Sequence, residues 1–125
     1  MNDSLFKTLT PDFSFNDERG FLYQLSRDGW KQINVSKTIA GTFRGGHYHK
    51  KTKEAFFIVD GEISVLLEKG NQKQEVIFKT GDFFVINPYV VHSFTFNKDS
   101  LMVALYDVGV EQKDGTKDIF KKGEI

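Results

Sequence analysis

Residues 41–61 read GTFRGGHYHKKTKEAFFIVDG. In an extended segment alternate side chains share a face, so His47 and His49 project to one point while Tyr48 faces away. The turn Lys50-Lys51-Thr52-Lys53 separates this pair from Glu54, which heads the apolar block Ala55–Val59. Within that block Glu54, Phe56 and Ile58 fall on one face, Phe57 and Val59 on the other. A carboxylate on an apolar face requires a partner. Because both faces are apolar, the block requires cover twice: by an interior on one side and, on the other, by the N-terminal arm or a second copy of the chain. Of these the homodimer is the expectation. Asp60-Gly61 closes the stretch with a dipeptide typical of tight hairpins.

The same texture continues outward. Short blocks rich in Phe, Val and Ile predict strands at Phe21–Leu25, Ile33–Ile39, His47–His49, Ala55–Val59, Glu62–Glu68, Gln74–Phe78, Asp82–Ile86, His92–Phe96 and Leu101–Tyr106. Between them lie turn formers such as Asn16–Gly20, Lys69-Gly70-Asn71 and Thr80-Gly81-Asp82. One helical element is expected, a short turn near Lys117–Lys122. So many short strands in 125 residues predict a single all-β domain over residues 1–125, a sandwich or barrel. Phe43, Phe84, Phe94 and Phe96 are expected in its core.

Composition removes several function classes. Seventeen Lys and Arg balance 17 Asp and Glu, so no global charge draws nucleic acid. Without Cys there is no thiolate nucleophile, Cys-bound zinc or iron–sulfur cluster. The longest apolar run, Leu101–Tyr106, is too short to span a membrane. Met1–Thr10, with Asp3 and Lys7, reads as neither signal nor transit peptide, so the cytoplasm is expected.

The third histidine, His92, follows Asn87-Pro88-Tyr89-Val90-Val91 and shares parity with Phe94 and Phe96, which puts an ionisable ring on an interior aromatic face. Three imidazoles and a carboxylate, His47, His49, Glu54 and His92, form a donor set suited to a divalent ion such as Zn, Mn, Fe, Ni or Co. Arg44, Lys50, Lys51 and Lys53 flank it and offer a rim for a diphosphate or carboxylate. Tyr23, Tyr48, Tyr89 and Tyr106 are acid or base candidates among which the sequence does not choose.

Gly41, His47, His49, Glu54 and Gly61, at this spacing, reproduce the first signature motif of the cupin superfamily. Gly81, Pro88 and His92 resemble the second, with Val90 where Gly is usual and Phe96 where Asn is usual. The resemblance implies a small antiparallel jelly-roll barrel with the four ligands converging inside. Asp17–Leu22, Arg44–Lys50 and Tyr106-Asp107 further resemble the nucleotide-sugar cupins of polysaccharide biosynthesis, the 3,4-ketoisomerases (WxcM-like domains) and the related epimerases. In the ketoisomerases the Arg-Gly-x-His-x-His histidines move protons, which implies catalytic roles for His47 and His49 with Arg44 near the substrate. Glu54 stands where they carry Gln, and Lys37–Phe43 lacks their Tyr. These departures favour a metal-loaded cupin, such as the zinc-bearing epimerase domains of capsule synthesis.

The expected function is therefore a metal-binding isomerase or epimerase acting on a sugar or nucleotide sugar, with no nucleic-acid or membrane partner. A metal-dependent oxygenase and a non-catalytic sugar-binding or sensing module are the alternatives.

Overall fold

The computed structural model describes residues 5–124; Asp3, and with it the start of the Met1–Thr10 segment, lies outside the described residues. All regular structure is antiparallel β: β1 (Phe6–Thr8), β2 (Phe13–Asp17), β3 (Gly20–Gln24), β4 (Gln32–Thr38), β5 (Phe43–Tyr48), β6 (Glu54–Asp60), β7 (Glu62–Lys69), β8 (Gln72–Lys79), β9 (Phe83–Ile86), β10 (Val91–Phe96), β11 (Ser100–Tyr106) and β12 (Phe120–Lys121). Two five-stranded sheets, β1-β9-β6-β11-β4 and β12-β5-β10-β7-β8, face one another, and β2-β3 forms a separate hairpin. Their edges meet in pairs. Phe6 of β1 packs edge-on against Phe78 of β8, ring centroids 5.3 Å apart, while Arg44 Nε of β5 donates to Thr38 Oγ1 of β4 at 3.1 Å. Among the described residues no ladder joins the two sheets, so the expected barrel is an unclosed sandwich.

The strands predicted from β3 through β11 are present, but three expectations change. No helical turn forms at Lys117–Lys122. Phe120 and Lys121 instead pair as β12 with Tyr48 and His47, and the Lys122 amide donates to the Gly46 carbonyl at 2.7 Å. A six-residue helix has little stability of its own, and the open edge of β5 offers the backbone better partners.

Asp60-Gly61 is not a hairpin turn, since β6 and β7 lie in different sheets and the dipeptide carries the chain between them. Gly61 has φ +129°, and a Cβ there would lie 2.8 Å from the Ser100 Cα. Glycine serves this close corner as readily as it serves a hairpin. Two-residue hairpins lie instead at Glu18-Arg19, joining β2 to β3, and at Gly70-Asn71, joining β7 to β8.

Thirdly, the outer face of β6 is covered by the chain itself. Ala55 and Phe57 cluster with Phe83, Val85 and Leu105, and Leu9, Leu25 and Trp30 of the N-terminal region close over them. No second copy is needed there. Exposed apolar side chains lie instead on the hairpin (Phe13, Phe15, Leu22) and on the outer side of β4, where Ile33 and Val35 are 62% and 69% exposed.

The interior between the sheets is strongly aromatic. Phe84 and Phe78 stack with centroids 3.6 Å apart, Phe56 stacks on Phe84 at 5.3 Å, and Phe94 meets Phe56 edge-on at 4.9 Å. Phe84, Phe94 and Phe96 are buried as expected, whereas Phe43 is exposed. Among the described residues no helix is long and apolar enough to cross a membrane.

Candidate functional site

The site lies on the β4/β5 side of the sandwich and begins with one glycine. Gly45, at φ +124°, faces the backbone of β10, where a Cβ would lie 2.6 Å from the His92 carbonyl oxygen and 2.8 Å from the Ser93 Cα. Only glycine permits that approach and that φ together. The β5–β10 register shifts between His92 and Ser93, and His47 pairs with His92, ring centroids 5.8 Å apart. Glu54, first residue of β6, lies opposite Tyr106 on β11, so both side chains occupy the same inward face.

At the centre His49 Nε2 lies 3.1 Å and His92 Nε2 3.5 Å from Glu54 Oε1. All three residues are buried. The other ring nitrogen of each histidine donates to a backbone carbonyl: His49 Nδ1–H to Asp118 at 2.6 Å and His92 Nδ1–H to Val90 at 3.2 Å. Such bonds fix ring orientation and present Nε2 inward. The donor atoms of His49, Glu54 and His92 all lie within 4.8 Å of one another, a set that fits a divalent ion; His47, the fourth expected ligand, is outside it. His47 instead lines the adjoining cavity, and its Nδ1 is the one buried side-chain nitrogen or oxygen among the described residues without a hydrogen-bond partner.

Electrostatics separates the rings. Burial, with His49 nearby, holds His47 below the ordinary imidazole value against the pull of Glu54. For His49 burial also pushes downward, but the hydrogen bond and charge of Glu54 outweigh it and the ring titrates above its ordinary value. His92 is held low chiefly by burial. Burial and the adjacent Glu54 push the Tyr106 phenol far up, so it stays protonated at neutral pH.

The cavity, about 190 Å³, is lined from β5 and β10 by Arg44, His47, His92 and Phe94 and from β6 and β11 by Glu54, Phe56, Met102 and Tyr106. From β4 its lining receives Asn34 and Ser36; deeper along the strand, Thr38 binds Arg44. This strand turns its polar row inward and its apolar row outward. A larger concavity of about 990 Å³ lies on the β1/β8 side, but its lining residues include no His, Asp or Glu. Of the two, only the smaller cavity presents imidazole and carboxylate side chains.

Of the predicted residues, His49, Glu54 and His92 converge, His47 and Arg44 border the same cavity, and Lys50, Lys51 and Lys53 remain outside its lining. Tyr106 is the tyrosine the structure selects. It shares parity with Met102 and Ala104, both inward, and that alternation was the available signal. Asn34 and Ser36 were missed because alternation along Ile33–Ile39 does not say which of its two rows lies inward. Asp118 carried no local signal.

The sequence model described as Cupin domain matches residues 37–109. Among solved structures, the chain is similar to the sugar 3,4-ketoisomerase QdtA of Thermoanaerobacterium thermosaccharolyticum in complex with TDP, at 14% identity and TM-score 0.77 over 94% of this chain and 88% of that one. A 3,4-ketoisomerase from Helicobacter canadensis gives 19% identity and TM-score 0.77, covering 93% and 90%. The rmlC epimerase of Mycobacterium tuberculosis gives 17% and 0.69, covering 86% and 65%. No curated protein sequence matches the chain.

Proposed function

Since the chain belongs to the cupin domain family, we propose that it is an isomerase or epimerase of a keto sugar carried on a nucleotide. One observation carries the reading. A neutral, cavity-lining His47 with a partnerless ring nitrogen faces the same small cavity as Tyr106, a phenol held protonated beside Glu54. These supply a base and an acid for enolisation. At about 190 Å³ the cavity falls below the roughly 300–1,000 Å³ of pockets that enclose whole drug-sized ligands, so it suits one sugar ring with the remainder outside. Arg44, exposed at the mouth, then meets the diphosphate. Similarity of fold to sugar ketoisomerases and an epimerase supports this class.

In this reading His47 takes the proton from the carbon beside the keto group. Tyr106 turns its hydroxyl from Glu54 to the oxygen on which charge develops and donates a hydrogen bond there. His47 then returns the proton to the neighbouring carbon while the hydroxyl proton of the first carbon passes to the former keto oxygen, giving an isomer. Protonation of the first carbon from its opposite face by water, with His47 losing its proton to solvent, gives an epimer. His49 and His92 hold Glu54 from behind. Lewis-acid polarisation of a keto oxygen is the chemistry a divalent ion such as Zn, Mn, Fe, Ni or Co supplies when held by His49, Glu54 and His92. Elemental analysis of gently purified protein identifies that ion.

The test is deuterium wash-in from heavy water. Incorporation beside the keto group of a nucleotide-linked keto sugar is expected, and no incorporation across a panel of such sugars refutes the proposal. A second reading, a metal-dependent oxygenase, is favoured by the donor set itself, since two imidazoles and one carboxylate are the ligands of non-haem iron oxygenases. Oxygen uptake by iron-loaded protein, without wash-in, would select it.

The exposed Ile33 and Val35, together with Phe13, Phe15 and Leu22 on the hairpin, form apolar surface suited to a second copy of the chain. A homodimer mass in sedimentation is expected, and a concentration-independent monomer mass would remove the dimer.

A further inference from the structure

The C-terminal segment between β11 and β12 holds a buried acid, Asp118, whose polar backbone and side-chain atoms are all engaged around one histidine. Its Oδ1 accepts the Lys50 amide at 2.8 Å. Its Oδ2 accepts the Lys51 amide at 2.9 Å and the Thr52 amide and hydroxyl at 2.8 Å each. Its own amide donates to the Val110 carbonyl at 2.7 Å, and its carbonyl accepts His49 Nδ1–H at 2.6 Å. The carboxylate thus grips the three residues that follow His49, while the carbonyl of the same residue grips the His49 ring.

The surroundings lock this grip in place. Phe120 stacks on Tyr48 with centroids 5.6 Å apart, Lys50 Nζ lies 4.2 Å from the Phe120 ring centre, and the Tyr48 hydroxyl donates to the Glu124 carbonyl. A buried carboxylate accepting four hydrogen bonds cannot slide without losing several at once.

We infer that Asp118 is a positioning residue for His49: by tying the Lys50–Thr52 loop to the C-terminal segment it keeps a backbone carbonyl on His49 Nδ1 and so directs His49 Nε2 at Glu54. The inference rests on the proposed use of this site, since it concerns how one of its rings is held.

The experiment follows imidazole N–H exchange with water in the full chain labelled with 15N-histidine, which needs no substrate. Wild-type protein is expected to show protected protons on His49 Nδ1 and His92 Nδ1. In Asp118→Asn the amide NH2 replaces one acceptor facing the loop amides, and the His49 proton should exchange about tenfold faster while that of His92 is unchanged. Thr52→Val, which removes one donor, should give a smaller acceleration and serves if Asp118→Asn does not fold. Asp114→Asn, an exposed acid that binds only Thr116, should leave both protons as they are.

Unaltered His49 protection in a folded Asp118→Asn or Thr52→Val protein overturns the inference, as does equal acceleration at His49 and His92. Failure of deuterium wash-in strikes the proposed activity alone and leaves the exchange result to be read independently. Where wash-in occurs, Asp118→Asn should lower kcat about tenfold with KM within about twofold.

Discussion

The two sides of the sandwich are built from the same strand pattern and filled in opposite ways. On the β1/β8 side, Phe6, Phe78, Phe84 and Phe56 stack or abut in one continuous aromatic series. On the β4/β5 side, two imidazoles, a carboxylate and a phenol line a cavity, a third imidazole, His49, bonds the carboxylate, and one ring nitrogen has no partner. Phe56 and Phe94 form the boundary, since both also touch His92. Close packing on one side stabilises the fold and lets the other keep polar groups that do little for stability, the usual trade-off between stability and function.

That division predicts substitutions that separate activity from stability. His47→Asn should lower wash-in by about 10²- to 10⁴-fold, the usual contribution of a general base, with an unchanged urea midpoint. A comparable fall in both would place His47 among the stabilising residues. Phe84→Ala, fully buried in the aromatic series, should cost about 3–5 kcal/mol in urea unfolding and leave the turnover of the folded fraction close to wild type. Gly45→Ala touches both regions, because it forces a side chain onto the β10 backbone at φ +124°. Loss of roughly 1–3 kcal/mol is expected together with reduced turnover, as His47 moves relative to His92. Wild-type turnover in that variant would show that the β5–β10 approach does not set the site.

The side built by packing was the more legible in the sequence. Alternation of Phe, Val and Ile located β3 to β11, and the inward faces of β6 and β10 followed from Phe56, Ile58, Phe94 and Phe96. His47, His49, Glu54 and His92 were found because strand parity and a motif coincide there. What escaped was set by partners distant in sequence. Lys117–Lys122 reads as a helical turn until the edge of β5 is present to pair with it. Asp60-Gly61 signals a required φ, not which strand comes next. In β4 the apolar residues face outward because the inward row faces a cavity, and alternation alone does not say which row is inside. His47 looks equivalent to His49 at i+2, yet the Asp118 carbonyl orders only the latter, from a position 69 residues away.

The same contrast has a pH dependence. Burial pushes the Asp118 carboxyl upward, but the hydrogen bonds from Lys50, Thr52 and Lys51 outweigh it and hold the carboxyl below the usual carboxylate range in the folded chain. A group whose folded pKa is depressed contributes stability that is complete above its unfolded value, about 3.9, and that disappears as pH falls from there through the folded value. The β4/β5 side should therefore loosen in acid while the aromatic side does not respond. Wild-type protein should lose urea resistance between about pH 5 and pH 2 more steeply than Asp118→Asn, which has no carboxyl to protonate, so that the gap between them narrows in acid. For Phe84→Ala the deficit against wild type should be the same at both pH values, because no titrating group is removed. A gap between wild type and Asp118→Asn that stays constant across this range would mean that the C-terminal segment is held by packing of Phe120 on Tyr48, not by the buried charge.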